Sequence, residues 1–224
     1  MIAIIFGLVM GITHYLSEHL NLKETKYYAQ LISFSAGISI TYIFLDLFPQ
    51  FSEGAIQINK FLFIFVLLGF ISFHLVEKYI YLHSPKDKLI RELAIEDTVI
   101  SFVYHFIVGM IIVSFVEQGW VKGTLFFIPV LFYTAVSTLP VDKTKFMAIR
   151  FVLSMSTLLG VLFASFVNII PMIYYALLGT VIGILLFTII RHSIPSGKEG
   201  KPLSFTIGVI VYTLIIITLN WTFI

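Results

Sequence analysis

The chain has 224 residues, of which 59% are hydrophobic and 12% are charged, and its formal net charge at pH 7 is +2. An average soluble domain has about twice that charged fraction, so the composition excludes an ordinary soluble domain. The small net charge gives no basis for nucleic-acid binding. Cysteine is absent, which excludes disulfides, thiolate metal sites and thiol redox chemistry.

Eight apolar segments follow one another along the chain, and several have about 20 residues, enough to cross a hydrocarbon core of about 30 Å as a helix. A membrane strand would need alternating polarity, and the run 61–70 shows none. The first segment lacks a basic leading region, so it is predicted to be a retained helix rather than a signal peptide. The approximate segments are 1–17, 28–49, 61–83, 98–116, 124–140, 146–167, 171–190 and 203–223.

Lysine and arginine lie almost entirely in alternate gaps between these segments. Twelve of the fourteen fall in the first, third, fifth and seventh gaps, while the even-numbered gaps carry only Lys60 and Lys122. Basic residues near helix ends stay on the cytoplasmic side, so the pattern predicts eight crossings with both termini outside. No gap could hold a folded soluble unit, and 1–224 is predicted to be a single transmembrane domain.

Two histidine–glutamate pairs lie towards the predicted cytoplasmic side. His14 and Glu18 are four residues apart on the first helix, and His74 and Glu77 are three apart on the third, so each pair shares a helix face. The favoured interpretation is hydrogen bonding at helix ends. The alternative is a metal exit site on the cytoplasmic side to which all four residues contribute.

Asp46 and His105 are the remaining ionisable residues inside apolar segments, where each costs about 2.5–3.5 kcal/mol or more at the centre of a lone helix. Asp46 is either an interfacial carboxylate that reaches water or a group that admits cations at the outer mouth. His105 has no carboxylate within one turn on its own helix, whereas a metal site needs three or four ligands. A neutral imidazole bonded to Tyr133 or Ser137 of the next helix is favoured over metal ligation.

The second and seventh segments share an internal pattern. Gly37 precedes Pro49 by twelve residues, Gly183 precedes Pro195 by twelve, and Glu-Gly begins four residues after each proline. The two segments would cross the membrane in opposite directions, so the shared pattern predicts an inverted repeat. Coincidence is the alternative, because glycine and proline are common in membrane helices.

No catalytic arrangement is present in the sequence, which has no phosphate-binding loop, no pair of intramembrane carboxylates and no His-Glu-x-x-His motif. The protein is therefore predicted not to be an enzyme and to need no cofactor.

Short stretches over nearly the whole chain resemble the ZIP (Zrt/Irt-like) family of metal transporters. Residues 36–50 are similar to the family's helix 2, residues 68–78 to its helix 3, residues 158–160 to its helix 6 and residues 183–195 to its helix 7. The resemblance implies an all-α, 3+2+3 inverted-repeat bundle with both termini outside. Its helices 1–3 would cover about 1–83, helices 4–5 about 98–140 and helices 6–8 about 146–223.

The sequence departs from the family pattern at the metal centre. Helix 4 reads His105-Phe-Ile-Val-Gly where the family has His-Asn-x-x-Glu/Asp-Gly, and residues 133–137 replace the His-Glu-x-Pro-Glu of helix 5. The resemblance implies that His105 and Asp46 are the metal ligands that remain, with Tyr133, Ser137 and Gln50 as helpers.

The sequence therefore predicts an integral protein of the plasma membrane that transports a divalent metal cation through a degenerate metal centre. The alternative is a non-transporting partner subunit or sensor on the same scaffold. The expected partners are the lipid bilayer and a divalent cation as substrate, with a homodimer as a further expectation and no nucleic acid.

Overall fold

The computed structural model describes residues 1–19, 25–85, 88–136, 147–193 and 200–221. Within these ranges the chain forms eight helices and no strand, which confirms the predicted all-α class. The helices are α1 (Ile2–His19), α2 (Tyr28–Tyr42, π-helical Ile43–Leu47 and Phe48–Ile58), α3 (the 3-10 turn Lys60–Leu62 and Phe63–His83), α4 (Leu89–Gln118), α5 (Trp120–Val136), α6 (Met147–Phe166), α7 (Pro171–Thr188 and π-helical Ile189–Ser193) and α8 (Pro202–Trp221).

Among the residues that the structure describes, five helical stretches are long and apolar enough to cross a membrane, and they belong to α2, α3, α4, α7 and α8. The apolar parts of α1, α5 and α6 are shorter. The exposed side chains of the outer helices are largely apolar, as Leu67 and Leu75 on α3 and Ile210 and Leu214 on α8 illustrate. Such surfaces suit lipid rather than water, and together these features indicate a membrane protein.

α2 continues past its predicted end at 49 and reaches Ile58. A proline inside an α-helix removes one backbone hydrogen bond, and its ring clashes with the carbonyl four residues earlier. Pro49 is the second residue after the π-helical segment Ile43–Leu47. The carbonyl four residues before it, that of Leu45, lies within this segment, whose wider turn changes its position. The helix therefore passes through Pro49 instead of ending there. α4 likewise begins earlier than predicted, at Leu89, because its charged first turns are good helix formers.

Glycines allow α2 and α8 to cross with their backbones in contact. A Cβ added at Gly37 would clash with the carbonyl oxygen of Phe205, and one added at Gly208 would clash with that of Phe34. Each glycine thus lies against the carbonyl three positions before the partner glycine. Ser33 and Lys201, at the starts of the two helices, are joined by a hydrogen bond, so the helices run parallel.

α3 and α7 cross in the same way. Gly183 lies against the carbonyl of Val66 and Gly69 lies against that of Thr180, again three positions before the partner glycine. Phe70, next to Gly69, packs edge-to-face on Phe187, with ring centroids 5.6 Å apart. Further along both helices, Glu77 contacts Arg191. These two helices are therefore parallel as well.

α2 and α7 run antiparallel to each other and carry the same interruption. Tyr175 fills the space beside Gly54, while a Cβ at Gly179 would lie 2.9 Å from the Phe51 ring. A later residue of α2 thus contacts an earlier residue of α7, as expected for antiparallel helices. The π-helical segment begins six residues after Gly37 in α2 and six residues after Gly183 in α7.

α4 and α5 lie side by side and antiparallel, surrounded by α1, α2 and α6. Phe115 of α4 stacks on Phe126 of α5 with ring centroids 5.0 Å apart. α1 approaches α6 closely, since a Cβ at Gly11 would lie 2.7 Å from the carbonyl oxygen of Ser154. It also packs on α5 through Phe6 and Phe127, whose rings stack at 4.2 Å. The core of the bundle is therefore built around α4 and α5.

Replacing Gly37 or Gly183 with alanine should destabilise the protein by about 1–3 kcal/mol, because the new Cβ forces two backbones apart. Alanine's higher helix propensity offsets only part of this loss. The expected result is a lower melting temperature in detergent. Gly7→Ala is the control, since its Cβ would lie 3.2 Å from the Val161 side chain and should have a smaller effect. A Gly37→Ala protein that melts like wild type would contradict the crossing.

Candidate functional site

His105 is buried in α4 and faces α5. Its Nδ1 lies 2.8 Å from the carbonyl oxygen of Ser101 one turn earlier, so Nδ1 carries the proton and donates it to that carbonyl. Its Nε2 lies 3.2 Å from the Thr134 hydroxyl oxygen. The imidazole thus reaches α5 one position beyond Tyr133. Ser137, the other partner named from the sequence, lies outside the described residues.

The Thr134 hydroxyl has two acceptors for a single proton. Its oxygen is 2.8 Å from the carbonyl oxygen of Val130 and 3.2 Å from Nε2 of His105. A threonine hydroxyl donates one hydrogen bond, so it cannot donate fully to both acceptors. Whenever it bonds to Val130, the Nε2 lone pair of His105 lacks this donor, and that lone pair can serve a bound cation.

His14 of α1 is buried against His105. The two ring centroids are 4.9 Å apart and the ring planes meet at 85°, an edge-to-face contact. Gly7 and Gly11 bring α1 close to α6, and His14 follows on the same face of α1, where it meets α4. The sequence grouped His14 with Glu18, but the side chain of Glu18 lies outside the described part of the structure.

The contact between His14 and His105 was not predicted from the sequence. The feature of the sequence that could have indicated this contact is a row of mostly small residues on one face of α1, all of them buried: Ala3, Gly7, Gly11, His14 and Ser17. Small residues mark the surfaces by which membrane helices pack. A histidine on such a stripe points into the bundle rather than into lipid.

Two tyrosines extend the polar layer beside His105. The Tyr104 ring lies 4.9 Å from the His105 ring and 6.1 Å from the Tyr133 ring, in both cases edge-to-face. The Tyr104 hydroxyl oxygen is buried and has no hydrogen-bond partner among the described residues. Tyr133 thus packs on Tyr104, the neighbour of His105 in the sequence.

Asp46 is only 8% exposed and lies within the π-helical segment of α2. The side-chain amide of Gln50 donates to its carboxylate over 2.8 Å. This burial disfavours the interpretation of an interfacial carboxylate that reaches water. One turn before Asp46, the Tyr42 ring packs near Phe126 of α5, with centroids 6.1 Å apart.

Asp46 and His105 lie at different depths of the bundle. Phe126 marks the level of Tyr42 on α5, and Thr134 marks the level of His105. Eight residues of α-helix span about 12 Å. The two candidate ligands named from the sequence are therefore not brought together at a single point.

The second predicted pair, His74 and Glu77, has other partners. Glu77 is 9% exposed and forms a forked ion pair with Arg191 of α7, in which its Oε1 lies 3.0 Å from Nη2 and 3.3 Å from Nε. His74 is exposed and its ring lies 6.1 Å from that of Phe187. Among the described residues, no three His, Cys, Asp or Glu side chains gather where they could hold a metal. The predicted cytoplasmic-side cluster also includes Glu18, whose side chain lies outside the described part of the structure.

A scan of the chain against protein-family models and a search of curated proteins both find no match. The geometry provides two imidazoles and one hydroxyl at one level, and one carboxylate with an amide at another. A closed zinc site needs about four ligands at one point. Neither level provides four such ligands within the described residues.

The purified protein should therefore not bind Zn²⁺ with sub-micromolar affinity at α4 and α5. Titration calorimetry of wild type, His105→Ala and His14→Ala should give the same weak or absent heats. His74→Ala, which removes an exposed histidine, is the matched control. Tight binding that is lost in His105→Ala and kept in His74→Ala would show that a metal centre exists there.

Proposed function

We propose that this protein is a ZIP-like transporter of a divalent metal cation, built on an inverted repeat of α1–α3 and α6–α8. The observation that carries the proposal is the matched interruption of α2 and α7. Each helix has a π-helical segment six residues after a crossing glycine, and the two helices are antiparallel. Transporters with inverted repeats place their substrate sites at such interrupted helices.

The helix pairs support the same repeat. α2 crosses α8 and α7 crosses α3 with the same glycine-to-carbonyl register, as two copies of one unit would. α4 and α5 then remain as the unrepeated central pair. The proposal also includes eight crossings of the plasma membrane with both termini outside, because the basic residues lie in alternate gaps and such residues stay on the cytoplasmic side.

The buried groups favour a cation as the substrate. A carboxylate inside the membrane marks ion pathways, and Asp46 lies in one of the two interrupted segments. Oxygen ligands suit hard divalent cations and imidazoles suit first-row transition metals. Two weak sites, one at Asp46 and one at His14 and His105, would let an ion bind without being trapped.

A non-transporting partner subunit or sensor is the second candidate function. It is favoured by the absence of a three-ligand group in the described part of the chain. Many of the buried hydroxyls also donate to carbonyls of their own helix, as Ser17, Thr41 and Ser156 do. Such bonds accompany helix packing and need no transported ion.

Uptake into proteoliposomes across a panel of divalent ions separates the two functions. We expect uptake of at least one ion, reduced at least about 10-fold by Asp46→Asn, because a cation loses its charged ligand in a low-dielectric site. Glu53→Gln is the control, since Glu53 is an exposed acid of the same helix. Absence of uptake for every ion in wild type would favour the non-transporting alternative.

The proposed topology has its own test. Tags on either terminus should react with impermeant reagents in intact cells, because the alternating basic gaps place both ends outside. A tag inserted after Pro85, in a basic gap, should be protected until the membrane is opened. A protected terminus in intact cells would contradict eight crossings in this orientation.

A further inference from the structure

The ion pair between Glu77 and Arg191 stands apart from the candidate site. The Glu77 side chain is 12% exposed and that of Arg191 is 55% exposed. Two guanidinium nitrogens contact one carboxylate oxygen, so the pair has a fixed geometry as well as opposite charge. Arg191 belongs to the π-helical segment of α7, so the pair ties α3 to that segment.

α3 depends on α7 for its attachment to the bundle. Among the described residues its most extensive packing is against α7, with smaller contacts to α4 and, through Phe63, to Phe48 and Phe51 of α2. Most of its other side chains are exposed. The attachment has two ends. The glycine crossing at Gly69 and Gly183 is one, and the ion pair, eight residues further along both helices or about 12 Å away, is the other.

The corresponding pair, α2 and α8, lacks this second attachment. Positions eight residues beyond its crossing glycines, Gly37 and Gly208, are Leu45 and Ile216. Leu45 is half exposed and Ile216 is buried, and neither carries a charge. The ion pair therefore occurs in only one of two otherwise matched helix pairs.

We propose that the Glu77–Arg191 pair is a latch that stabilises one of two conformations of the bundle, the one in which the cytoplasmic ends of α3 and α7 are closed together. This inference rests on the proposed function, because an inverted-repeat transporter alternates between two states in which the repeats exchange their conformations. The ion pair joins α3 of one repeat to α7 of the other, and the matched pair α2 and α8 has no such contact among the described residues, so the latch is made in one of those states and broken when the repeats move relative to each other. It therefore shifts the equilibrium towards that state by its differential free energy.

Spin-label distances test the latch without any substrate. The chain has no cysteine, so Leu16→Cys on α1 and Leu82→Cys on α3 create the only two labelling positions, and both side chains are exposed. We expect one dominant distance in the labelled parent in nanodiscs. Arg191→Gln should raise the ratio of a second, longer distance about 5-fold, which corresponds to about 1 kcal/mol at 1.4 kcal/mol per tenfold.

Two further variants control for charge and for folding. Lys78→Gln removes an exposed cation next to Glu77 in the sequence and should leave the distances as in the parent. The exchange Glu77→Arg with Arg191→Glu should restore the dominant distance if the pair acts through opposite charge. Glu77→Gln should behave like Arg191→Gln and provides a second route should either variant fail to fold.

Unchanged distances in both Arg191→Gln and Glu77→Gln would overturn the latch, whatever the uptake assay gives. Equal changes in Lys78→Gln would overturn it too, because the effect would then be one of net charge. A second distance in Arg191→Gln, together with no uptake by wild type, would support the latch and count against transport. The two proposals can therefore fail separately.

Discussion

Backbone contact at glycine is the constraint on which the rest of the structure depends. Lipid chains are as apolar as leucine, so helices in a membrane gain little from hydrophobic burial and associate through close packing. Six glycines make three such crossings: Gly37 and Gly208, Gly69 and Gly183, and Gly109 and Gly160. A Cβ at any of them would clash with a carbonyl of the partner helix. These crossings determine where α2, α7 and α4 lie, and hence where Asp46, Arg191 and His105 lie.

The π-helical segments lie close to two of these crossings. In both α2 and α7, one turn of π-helix begins six residues after the crossing glycine. In α2 this wider turn lets the helix continue through Pro49. Such a π-helical turn inside an α-helix is rare and often marks a functional position. In this chain the two segments contain Asp46 and Arg191, each of which makes a charged contact that no apolar neighbour could replace.

The sequence predicts the helices well because a run of about 20 apolar residues has one structural solution in lipid. It does not predict how each helix is rotated about its own axis, since a helix that is apolar all round has no preferred inner face. For this reason the contact of His14 with His105 and that of Glu77 with Arg191 were not predicted, while the presence of His105 in the interior was. The same limit explains Glu77, which was grouped with its neighbour His74 although its partner lies 114 residues away in the chain.

The buried polar groups fall into two classes that the fold treats differently. Hydroxyls such as those of Ser156 and Thr41 donate to carbonyls of their own helix. Their hydrogen bonds are made however the helix is rotated about its axis, so they contribute little to which neighbouring helix it packs against. His105, Asp46 and Glu77 cannot do so fully and need a second side chain, and each finds a different one: Thr134, Gln50 and Arg191. The first two pairs lie at different depths of the bundle and the third joins α3 to α7, so no point among the described residues brings three such ligands together. In the described part of the chain these charges therefore serve, in the first place, to hold neighbouring helices in a fixed register, as the contact of Glu77 with Arg191 does between α3 and α7.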